Sequence, residues 1–568
     1  MKLTGSQVLF KALREEKVDT IFGYPGGSVI DLYDELFHQE GIKHYLVRHE
    51  QGAVHAADGY ARATGKVGVC LVTSGPGATN TVTGIANAYA DSIPIVILTG
   101  QVPTHMIGKD AFQEVDITGI TRPCSKHNFL VRKIDDLGRT IREAFYIAHS
   151  GRPGPVLVDI PKDILQGTLE ETELFMKIHL PPEPPKEPID EACAAALTMI
   201  RTARKPVIFA GGGVLRGKAV SELMTFANCI HAPVTASLMG LGAFPGTHPR
   251  WLGMLGMHGT YYANMAVSHC DLLIAVGVRF DDRVTSKVAE FAPHAKIIHI
   301  DIDPVSINKI VKSHVSIISD CREALQRLLS MAGGEVLLSA DQTREWLEQI
   351  EKWKKAVPLS YCRSAKIKPQ YVIEKLYELT RGEAIITTEV GQNQMWAAQF
   401  YRFDHPDTFI SSGGLGTMGF GLPAAIGAQV AFPDRLVVDI AGDGSIQMNI
   451  QELATAVHYN LPVKVVILNN GFLGMVRQWQ EMFYGRRYSQ TEMKQALDFV
   501  KLAEAFGAVG LRATKPEEVE EVLRKGLETP RAVMMDFHVE PEEQVYPMVS
   551  PGAGLTDMKL GNLRRDAD

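Results

Sequence analysis

Residues 436–470, LVVDIAGDGSIQMNIQELATAVHYNLPVKVVILNN, decide the fold of this chain. The apolar run at 436–440 predicts a strand, residues 449–458 predict a helix, and the apolar run at 463–468 predicts a second strand. Two continuous apolar strands joined by a helix are typical of a βαβ unit in a buried parallel sheet. The stretch therefore predicts an α/β fold.

Polar side chains follow both predicted strands. Asp443 lies in a Gly-Asp-Gly turn after the first strand, and Asn470 comes directly after the second. Because the carboxyl ends of parallel strands share one edge of the sheet, we expect these side chains to meet there. Hard oxygen ligands of this kind suit Mg²⁺, which completes its shell with phosphate and water. The alternative is an ordinary pair of turns, since Asp, Asn and Gly all favour turns.

The rest of the chain repeats the alternation of buried strands and helices. It predicts three doubly wound parallel-sheet domains, a number that fits the length of 568 residues. We place the domains at residues 1–170, 190–340 and 365–540, followed by a C-terminal arm at 541–568. LPPEPPKEP (180–188) is rich in proline and predicts an extended linker between the first two domains.

Composition excludes several classes of protein. A hydrophobic fraction of 45% and a charged fraction of 22% are those of a globular protein. The net charge of −7, without a basic cluster, argues against a nucleic-acid partner. No apolar stretch has membrane-spanning length, and the charged N-terminus is unlike a signal peptide. Seven scattered cysteines without a CxxC pair indicate reduced thiols and a cytoplasmic location.

The GDG turn followed at this spacing by NN resembles the signature of thiamine-diphosphate enzymes. The resemblance implies that Asp443, Asn470 and the backbone carbonyl of Phe472 hold Mg²⁺ on the cofactor diphosphate. It also implies that Gly444 and Ser445 bind the diphosphate. The expected fold is then the thiamine-diphosphate-binding fold, with an N-terminal pyrimidine-binding domain and a C-terminal diphosphate-binding domain.

A glutamate in the first domain fits the same resemblance. RHEQG (48–52) is similar to the family's segment for the glutamate that protonates the aminopyrimidine ring, which assigns that role to Glu50. We expect His49 and Glu50 to close a strand. The alternative is a helix N-terminal carboxylate, favoured by the helix dipole. The glycine-rich turn at residues 73–80 predicts an anion cradle before a helix.

The loop at residues 411–421 carries a second motif. Its G-x-G-x-x-G pattern begins at Gly414, and Asp439 is expected at the end of the next strand, which satisfies the written dinucleotide-binding fingerprint. An NAD-dependent dehydrogenase is therefore an alternative. The thiamine resemblance implies instead that Gly416 approaches the cofactor and that Met418 supports its bent conformation.

EVGQNQMW (389–396) resembles the family segment that contacts the diphosphate. The resemblance assigns cofactor contacts to Gln392 and Gln394. Glu389 and Asn393 depart from the pattern, because Asp and His are commoner at these two positions.

Further segments resemble a narrower family, the acetolactate synthase catalytic subunits. They are AFQEVD (111–116), SGRPGPVLVDIPKD (150–163), LGMHGTYYANMAV (255–267), FDDR (280–283), HIDID (299–303) and GMVRQWQEMFYGRRYS (474–489). The residues that the resemblance places in the active site are Phe112, Gln113, Lys162, Arg283 for the carboxylate of the second 2-keto acid, and Trp479 for selection of that acid. The residues that it assigns to FAD in the central domain are Arg152, His258, Arg279, Asp301 and Asp320.

These resemblances imply an enzyme of branched-chain amino-acid (valine, leucine and isoleucine) biosynthesis. It would be a transferase that decarboxylates pyruvate and joins the remainder to pyruvate or 2-ketobutyrate, giving 2-acetolactate or 2-aceto-2-hydroxybutyrate. The implied cofactors are thiamine diphosphate, Mg²⁺ and FAD. The implied assembly is a homodimer or homotetramer with sites between chains, joined by a small regulatory subunit. The alternatives are a flavin-linked pyruvate oxidase, a 2-keto acid decarboxylase and a scaffold without activity.

Overall fold

A computed structural model describes residues 2–171, 188–493 and 497–561. The predicted linker at 180–188 lies outside the described residues except for Pro188, as do the last seven residues of the predicted arm. None of the helices in the described ranges has the length and apolarity needed to cross a membrane.

The first sheet has six parallel strands in the order β3-β2-β4-β5-β7-β6, and a short antiparallel pair, β1 with β8, lies beside it. Its strands are β1 Lys2–Thr4, β2 Thr20–Tyr24, β3 Lys43–Leu46, β4 Gly68–Val72, β5 Ile95–Gln101, β6 His127–Leu130, β7 Val156–Pro161 and β8 Thr168–Glu170. Its helices are α1 Gly5–Glu15, α2 Ile30–His38, α3 Glu50–Thr64, α4 Pro76–Thr79, α5 Val82–Asp91, α6 Ile117–Thr121, α7 Ile134–His149 and α8 Lys162–Gln166.

The central sheet is also six-stranded and parallel, in the order β11-β10-β9-β12-β13-β14. Its strands are β9 Pro206–Ala210, β10 Val234–Ala236, β11 Trp251–Met254, β12 Leu272–Val276, β13 Lys296–Asp301 and β14 Val315–Ile318. Its helices, with the helix that leads into the third sheet, are α9 Asp190–Thr202, α10 Gly212–Arg216, α11 Val220–Cys229, α12 Tyr261–His269, α13 Asp282–Thr285, α14 Cys321–Met331 and α15 Ala340–Ala356.

The third sheet has the order β16-β15-β17-β18-β20-β19, again all parallel. Its strands are β15 Ile385–Thr388, β16 Phe409–Ile410, β17 Val437–Gly442, β18 Lys464–Asn469, β19 Val509–Ala513 and β20 Val533–His538. Its helices are α16 Pro369–Thr380, α17 Gln392–Phe400, α18 Gly421–Ala431, α19 Leu453–His458, α20 Gly474–Phe483, α21 Phe499–Ala505 and α22 Val519–Glu528. The chain then forms a small antiparallel pair, β21 Met548–Val549 with β22 Met558–Lys559.

The predicted βαβ unit is confirmed by strands β17 and β18, which pair in parallel with Gly442 opposite Leu468. The helix between them is shorter than predicted, because two 3₁₀ turns, at 446–448 and 450–452, precede α19. The fold class is therefore confirmed: each of the three sheets is parallel and is built from strands that alternate with helices, as the buried apolar runs predicted.

Two helices join the first and third sheets within one chain. A Cβ on Gly427 of α18 would lie 1.9 Å from the carbonyl oxygen of Ala56 in α3, and a Cβ on Gly59 would lie 2.3 Å from that of Ala424. No side chain fits at either glycine, so the two helix backbones touch. This contact fixes how the outer domains of the chain sit against each other.

Candidate active site

The metal-binding residues expected from the sequence lie together at the edge of the third sheet where its strands end. Asp443 directly follows β17 and Asn470 directly follows β18. The Asn470 backbone N–H donates to Asp443 Oδ1 at 3.3 Å. The other carboxylate oxygen, Oδ2, is buried and has no hydrogen-bond partner among the described residues. Burial raises the pKa of Asp443 to about 6.

This donor set fits Mg²⁺ on a diphosphate. A buried carboxylate oxygen without a partner is costly unless a cation or donor completes it. The described residues contain no group of three or more His, Cys, Asp or Glu side chains that could hold a metal ion. A cation at Asp443 would therefore take further ligands from the Asn470 carboxamide, a backbone carbonyl, phosphate and water, which is the ligand set that Mg²⁺ prefers.

The turn that leads from β18 to α20 is held in place by its neighbours. The Phe472 N–H donates to Asn470 Oδ1 at 3.0 Å, and Leu473 N–H donates to the Thr491 carbonyl at 2.8 Å. A Cβ on Gly444 would lie 2.7 Å from Leu473 Cδ2, so the Gly-Asp-Gly turn and this turn pack directly on each other. The two halves of the motif therefore form one compact unit.

Two glycines of the 411–421 loop, which lies between β16 and α18, are required for different physical reasons. A Cβ on Gly414 would lie 2.8 Å from Asp91 Oδ1, so packing against the first domain requires this glycine. Gly416 has a φ of +73°, which favours glycine, and the nearest atom to its added Cβ, Val390 Cγ1, lies at the ordinary van der Waals distance of 3.9 Å. Backbone conformation, and not close packing, therefore accounts for this glycine, and its contact with a cofactor stays a prediction.

The expectation that Asp439 ends a strand is wrong. Asp439 is the third residue of β17 and is fully buried, with Thr387 Oγ1 donating to its Oδ1 at 3.1 Å. A dinucleotide-binding aspartate must lie at the strand end to reach a ribose hydroxyl. Burial inside the sheet removes the basis of the dehydrogenase alternative.

Residues of the first domain hold the 411–421 loop, and sequence reasoning missed them. Asn87 Oδ1 accepts hydrogen bonds from the Ser412 and Thr417 hydroxyls at 2.6 and 3.1 Å. The Asp91 carboxylate accepts two successive backbone N–H groups of the loop at 3.0 and 2.7 Å. Buried Arg62 bonds the carboxylate of Asp91 at 3.0 Å. The sequence signal was weak, because no motif marks these polar residues of helices α3 and α5.

Gln394 and Glu389 also act on this loop. The Gln394 amide nitrogen donates to Ser411 Oγ at 2.6 Å and to the Ser412 carbonyl at 2.9 Å. The Glu389 carboxylate accepts from the Gly419 N–H at 2.6 Å and from the Ser445 hydroxyl at 2.7 Å. Glu389 thus ties the loop to the Gly-Asp-Gly turn. Glu389, which departs from the family pattern, therefore has a structural role in this chain: it holds the loop and the turn together.

Glu389 and Asp439 form a buried pair of carboxyl groups, both fully inaccessible. Burial raises the pKa of each, and the neighbouring Glu389 carboxylate raises that of Asp439 further. A carboxyl group whose pKa is higher in the folded than in the unfolded chain takes up a proton on folding. Its contribution is fully present below the unfolded pKa, near 4, and is lost as the pH rises to the folded pKa.

We expect Asp439→Asn to weaken the fall in stability with rising pH. Each proton taken up on folding contributes a slope of about 1.4 kcal/mol per pH unit in that window. The asparagine variant lacks one such group, so its unfolding midpoint should decline less than that of the parent chain between about pH 5 and 8. Thermal unfolding at several pH values measures this. Asp434→Asn, at an exposed position before the same strand, is the control, and parallel curves for Asp439→Asn and the parent chain would contradict the prediction.

Glu50 lies at the corresponding edge of the first sheet. The prediction that it closes a strand is wrong. Strand β3 ends at Leu46, and Glu50 is the first residue of α3. Its Oε2 accepts a hydrogen bond from Asn80 Nδ2 at 2.9 Å, and a Cβ on Gly77 would lie 3.4 Å from its Oε1. Within the described parts of one chain, no hydrogen bond joins Glu50 to Asp443. The glutamate and the expected metal ligands lie at the edges of different sheets.

The other first-domain candidates share that edge. Lys162 is the first residue of α8, directly after β7, and its Nζ donates to the Gly27 carbonyl at 3.0 Å. Gln113 has a φ of +59°, and its carbonyl oxygen would lie 2.8 Å from a Cβ on Gly75, within the glycine-rich turn after β4. The Phe112 side chain is 88% exposed. One exposed apolar ring is common on protein surfaces and does not by itself indicate a contact.

The central candidates lie where strands β12 to β14 end. Asp301 is the last residue of β13, and burial raises its pKa to about 6. Arg279, three residues after β12, is exposed. Asp320 caps α14, accepting from Arg322 N–H at 2.8 Å, so this side chain also has a purely structural role. A Cβ on Gly213, in the first turn of α10, would lie 2.6 Å from the Cα of Gly277, so packing alone explains this glycine.

Arg152 and His258 are engaged within the chain. Arg152 donates to Ser92 Oγ at 2.8 Å and pairs with Asp303 at 3.1 Å, linking the first and central domains. His258 Nδ1 lies 3.3 Å from the Pro547 carbonyl, and burial lowers its pKa to about 4. The His258 ring is therefore neutral and donates to this carbonyl.

Arg283 and Trp479 have different surroundings. The Arg283 side chain is 61% exposed and its guanidinium lies 3.6 Å from the Asp282 carboxylate, so in a single chain it forms a surface ion pair. Trp479 on α20 is half-buried, and its ring packs edge-on against Phe483 at 5.7 Å. Its indole nitrogen is buried and has no hydrogen-bond partner among the described residues.

Three family descriptions match the chain in order. They are "Thiamine pyrophosphate enzyme, N-terminal TPP binding domain" at residues 3–120, the "central domain" at 193–328 and the "C-terminal TPP binding domain" at 389–537. Each match covers most strands of a different one of the three parallel sheets.

Curated relatives narrow the family. The chain is 50% identical to the acetolactate synthase isozyme 3 large subunit of Escherichia coli K12 over 99% of both chains. It is 48% identical to the acetolactate synthase large subunit of Haemophilus influenzae over the whole of both chains. It is 50% identical to the acetolactate synthase of Mycobacterium leprae over 98% of this chain and 90% of the relative. This protein belongs to the acetolactate synthase large-subunit family of thiamine pyrophosphate enzymes.

Proposed function

We propose that this acetolactate synthase decarboxylates pyruvate and joins the two-carbon remainder to a second pyruvate or to 2-ketobutyrate. The products are 2-acetolactate and 2-aceto-2-hydroxybutyrate, which start the synthesis of the branched-chain amino acids. One observation carries the proposal: a buried carboxylate oxygen of Asp443, which has no hydrogen-bond partner in the described parts of the chain, lies beside Asn470 at the edge of a thiamine-binding domain.

We propose that Asp443 and Asn470 hold Mg²⁺ with the Phe472 carbonyl, and that Gly416 gives the cofactor access to the backbone. Thiamine diphosphate, when bound, supplies the electron sink for decarboxylation. The role of Glu50 is to share a proton with the cofactor ring. Its place at the start of α3 and its hydrogen bond from Asn80 hold the carboxyl group at the edge of the first sheet.

The site needs two copies of the chain in this proposal. Glu50 and Asp443 lie in different domains, and no hydrogen bond joins them within the described parts of one chain. A homodimer brings the first domain of one chain to the third domain of the other. The exposed ring of Phe112 and the exposed guanidinium of Arg283 are then available to a shared site. The sequence-based domain limits, residues 1–170, 190–340 and 365–540, are kept as part of this proposal.

FAD and a second protein complete the proposed assembly. Asp301, Arg279 and Asp320 lie at neighbouring strand ends of the central sheet, where α/β sheets bind nucleotides. FAD has a structural role, because the condensation involves no net oxidation. The names of the relatives specify a large subunit, which supports a small regulatory subunit as partner. We place the enzyme in the cytoplasm, the location inferred from its scattered cysteines.

Trp479 is proposed to choose the second substrate. Contact between an indole and the ethyl group of 2-ketobutyrate would favour this acid over pyruvate by about 1–3 kcal/mol, the usual contribution of one methylene group. Arg283 would bind the carboxylate of the incoming acid through its planar guanidinium.

One assay tests the function. The purified chain is incubated with pyruvate, thiamine diphosphate, Mg²⁺ and FAD, and acetolactate, acetaldehyde and oxygen uptake are measured together. We expect acetolactate without oxygen uptake. Oxygen uptake that scales with pyruvate would favour the oxidase, and acetaldehyde as the main product would favour the simple decarboxylase.

A further inference from the structure

The C-terminal arm, of which residues 541–561 are described, packs on the third domain through two buried glutamines. The Gln478 amide nitrogen on α20 donates to the Val545 carbonyl at 3.0 Å, and its oxygen accepts from the Val545 N–H at 2.9 Å. Gln478 therefore forms hydrogen bonds with both the carbonyl and the N–H of one arm residue, as a neighbouring strand would.

A second glutamine continues this contact to the metal-binding edge. The Gln392 amide nitrogen on α17 donates to Gln478 Oε1 at 2.9 Å and to the Glu543 carbonyl at 3.1 Å. Gln392 Oε1 accepts from Asn470 Nδ2 at 3.1 Å. Gln392 and Gln478 are 5% and 1% exposed. Three buried hydrogen bonds thus run from the arm to a residue that was assigned to the metal.

These bonds help to fix the orientation of the Asn470 amide. A carboxamide can turn over, exchanging its oxygen and nitrogen, unless its partners have fixed polarity. The backbone carbonyl of Glu543 can only accept and the N–H of Val545 can only donate, so both glutamines have one permitted orientation. Gln392 Oε1 must then accept from the Asn470 nitrogen, while the Asn470 oxygen accepts from the Phe472 N–H and keeps its second lone pair for a cation.

We propose that Gln392 and Gln478 are positioning residues that couple seating of the arm to the metal-binding orientation of Asn470. The inference rests on the proposed function, because it needs a cation at Asp443 and Asn470. It differs from the assignment made by family resemblance, in which Gln392 itself contacts the diphosphate. Both amide donors of Gln392 are already engaged inside the chain.

The test measures binding of thiamine diphosphate to the cofactor-free full-length chain by calorimetry, at several Mg²⁺ concentrations. Loss of a partner that orients a metal ligand typically weakens metal binding by about 10–100-fold. We expect that loss for Gln392→Ala and for Gln478→Ala. The affinity of the double variant for thiamine diphosphate should be no lower than that of whichever single variant binds more weakly. Both substitutions break the same chain of hydrogen bonds from the arm to Asn470. Gln392→Met keeps the side-chain volume and serves if the alanine variant folds poorly.

Gln399→Ala is the matched control. Gln399 lies on the same helix, and its amide nitrogen donates to the Tyr546 carbonyl of the arm at 3.2 Å and to the His258 carbonyl at 3.0 Å. It contacts the arm but not Asn470, so binding should change by less than about threefold, below the range for a partner of a ligand.

Limited proteolysis, at cofactor concentrations that saturate both the parent chain and the variant, gives a readout other than affinity or activity. Coupling between two sites is reciprocal, so cofactor with Mg²⁺ should protect the arm of the parent chain from cleavage and should not protect that of Gln392→Ala. Binding by Gln392→Ala within twofold of the parent chain, or additive losses in the double variant, would overturn the inference. Normal binding by Asp443→Ala would instead overturn the proposed metal site, so the two failures are distinguishable.

Discussion

Asp443→Ala is expected to abolish acetolactate formation and to weaken Mg²⁺-dependent binding of thiamine diphosphate by more than about 100-fold, since loss of a mere partner of a ligand costs about 10–100-fold. The substitution removes the buried oxygen that lacks a hydrogen-bond partner among the described residues. The Asn470 carboxamide alone cannot replace it, because a neutral oxygen offsets little of the charge of Mg²⁺. Calorimetry with the cofactor-free chain and an assay for acetolactate measure the two losses.

The same substitution should leave the fold intact. The Asp443 carboxyl group is desolvated, and its protein contacts include the weak bond from the Asn470 N–H at 3.3 Å. Asn469→Ala is the control, because the amide of this neighbouring residue donates to Asp536 Oδ1 at 2.9 Å rather than to the metal-binding edge. A variant Asp443→Ala that folds, binds cofactor normally and forms acetolactate would contradict the metal assignment.

Much of the fold follows from local sequence. The runs at 436–440 and 463–468 are apolar except at Asp439 and Lys464, and they predicted β17 and β18 within two residues at each end. The polar residues Asp443 and Asn470 stand immediately after them. A strand end is a local property, and the edge of a parallel sheet gathers all such ends.

The hydrogen bonds that hold the candidate site in place could not be predicted from local sequence. Gln392 and Gln478 are separated by 86 positions, and Asn87 and Ser412 by 325. Their partners depend on how the domains and the arm pack, and no local pattern encodes that packing. Asp439 shows the same limit: spacing from Gly414 suggested a ligand-binding aspartate, and only the observed extent of β17 reveals that it is buried.

Glu50→Gln is expected to lower the rate of acetolactate formation by about 10²–10⁴-fold, the usual loss when an acid–base group is removed. The amide keeps the size of the side chain and its oxygen can still accept from Asn80, so cofactor binding should persist. Steady-state rates and calorimetry separate the two properties. Glu40→Gln, at an exposed position of the same domain, should keep full activity. Equal losses of rate and of cofactor binding would contradict a proton-sharing role.

Mixing the two inactive chains tests where the site is formed. In a dimer whose sites each take Glu50 from one chain and Asp443 from the other, a hybrid of Glu50→Gln with Asp443→Ala has one site with both defects and one intact site. Random re-pairing of equal amounts makes half of the dimers hybrids, so activity should return to about a quarter of that of the parent chain. Sites formed within one chain would give no recovery. Hybrid dimers that form and stay inactive would therefore overturn the shared site.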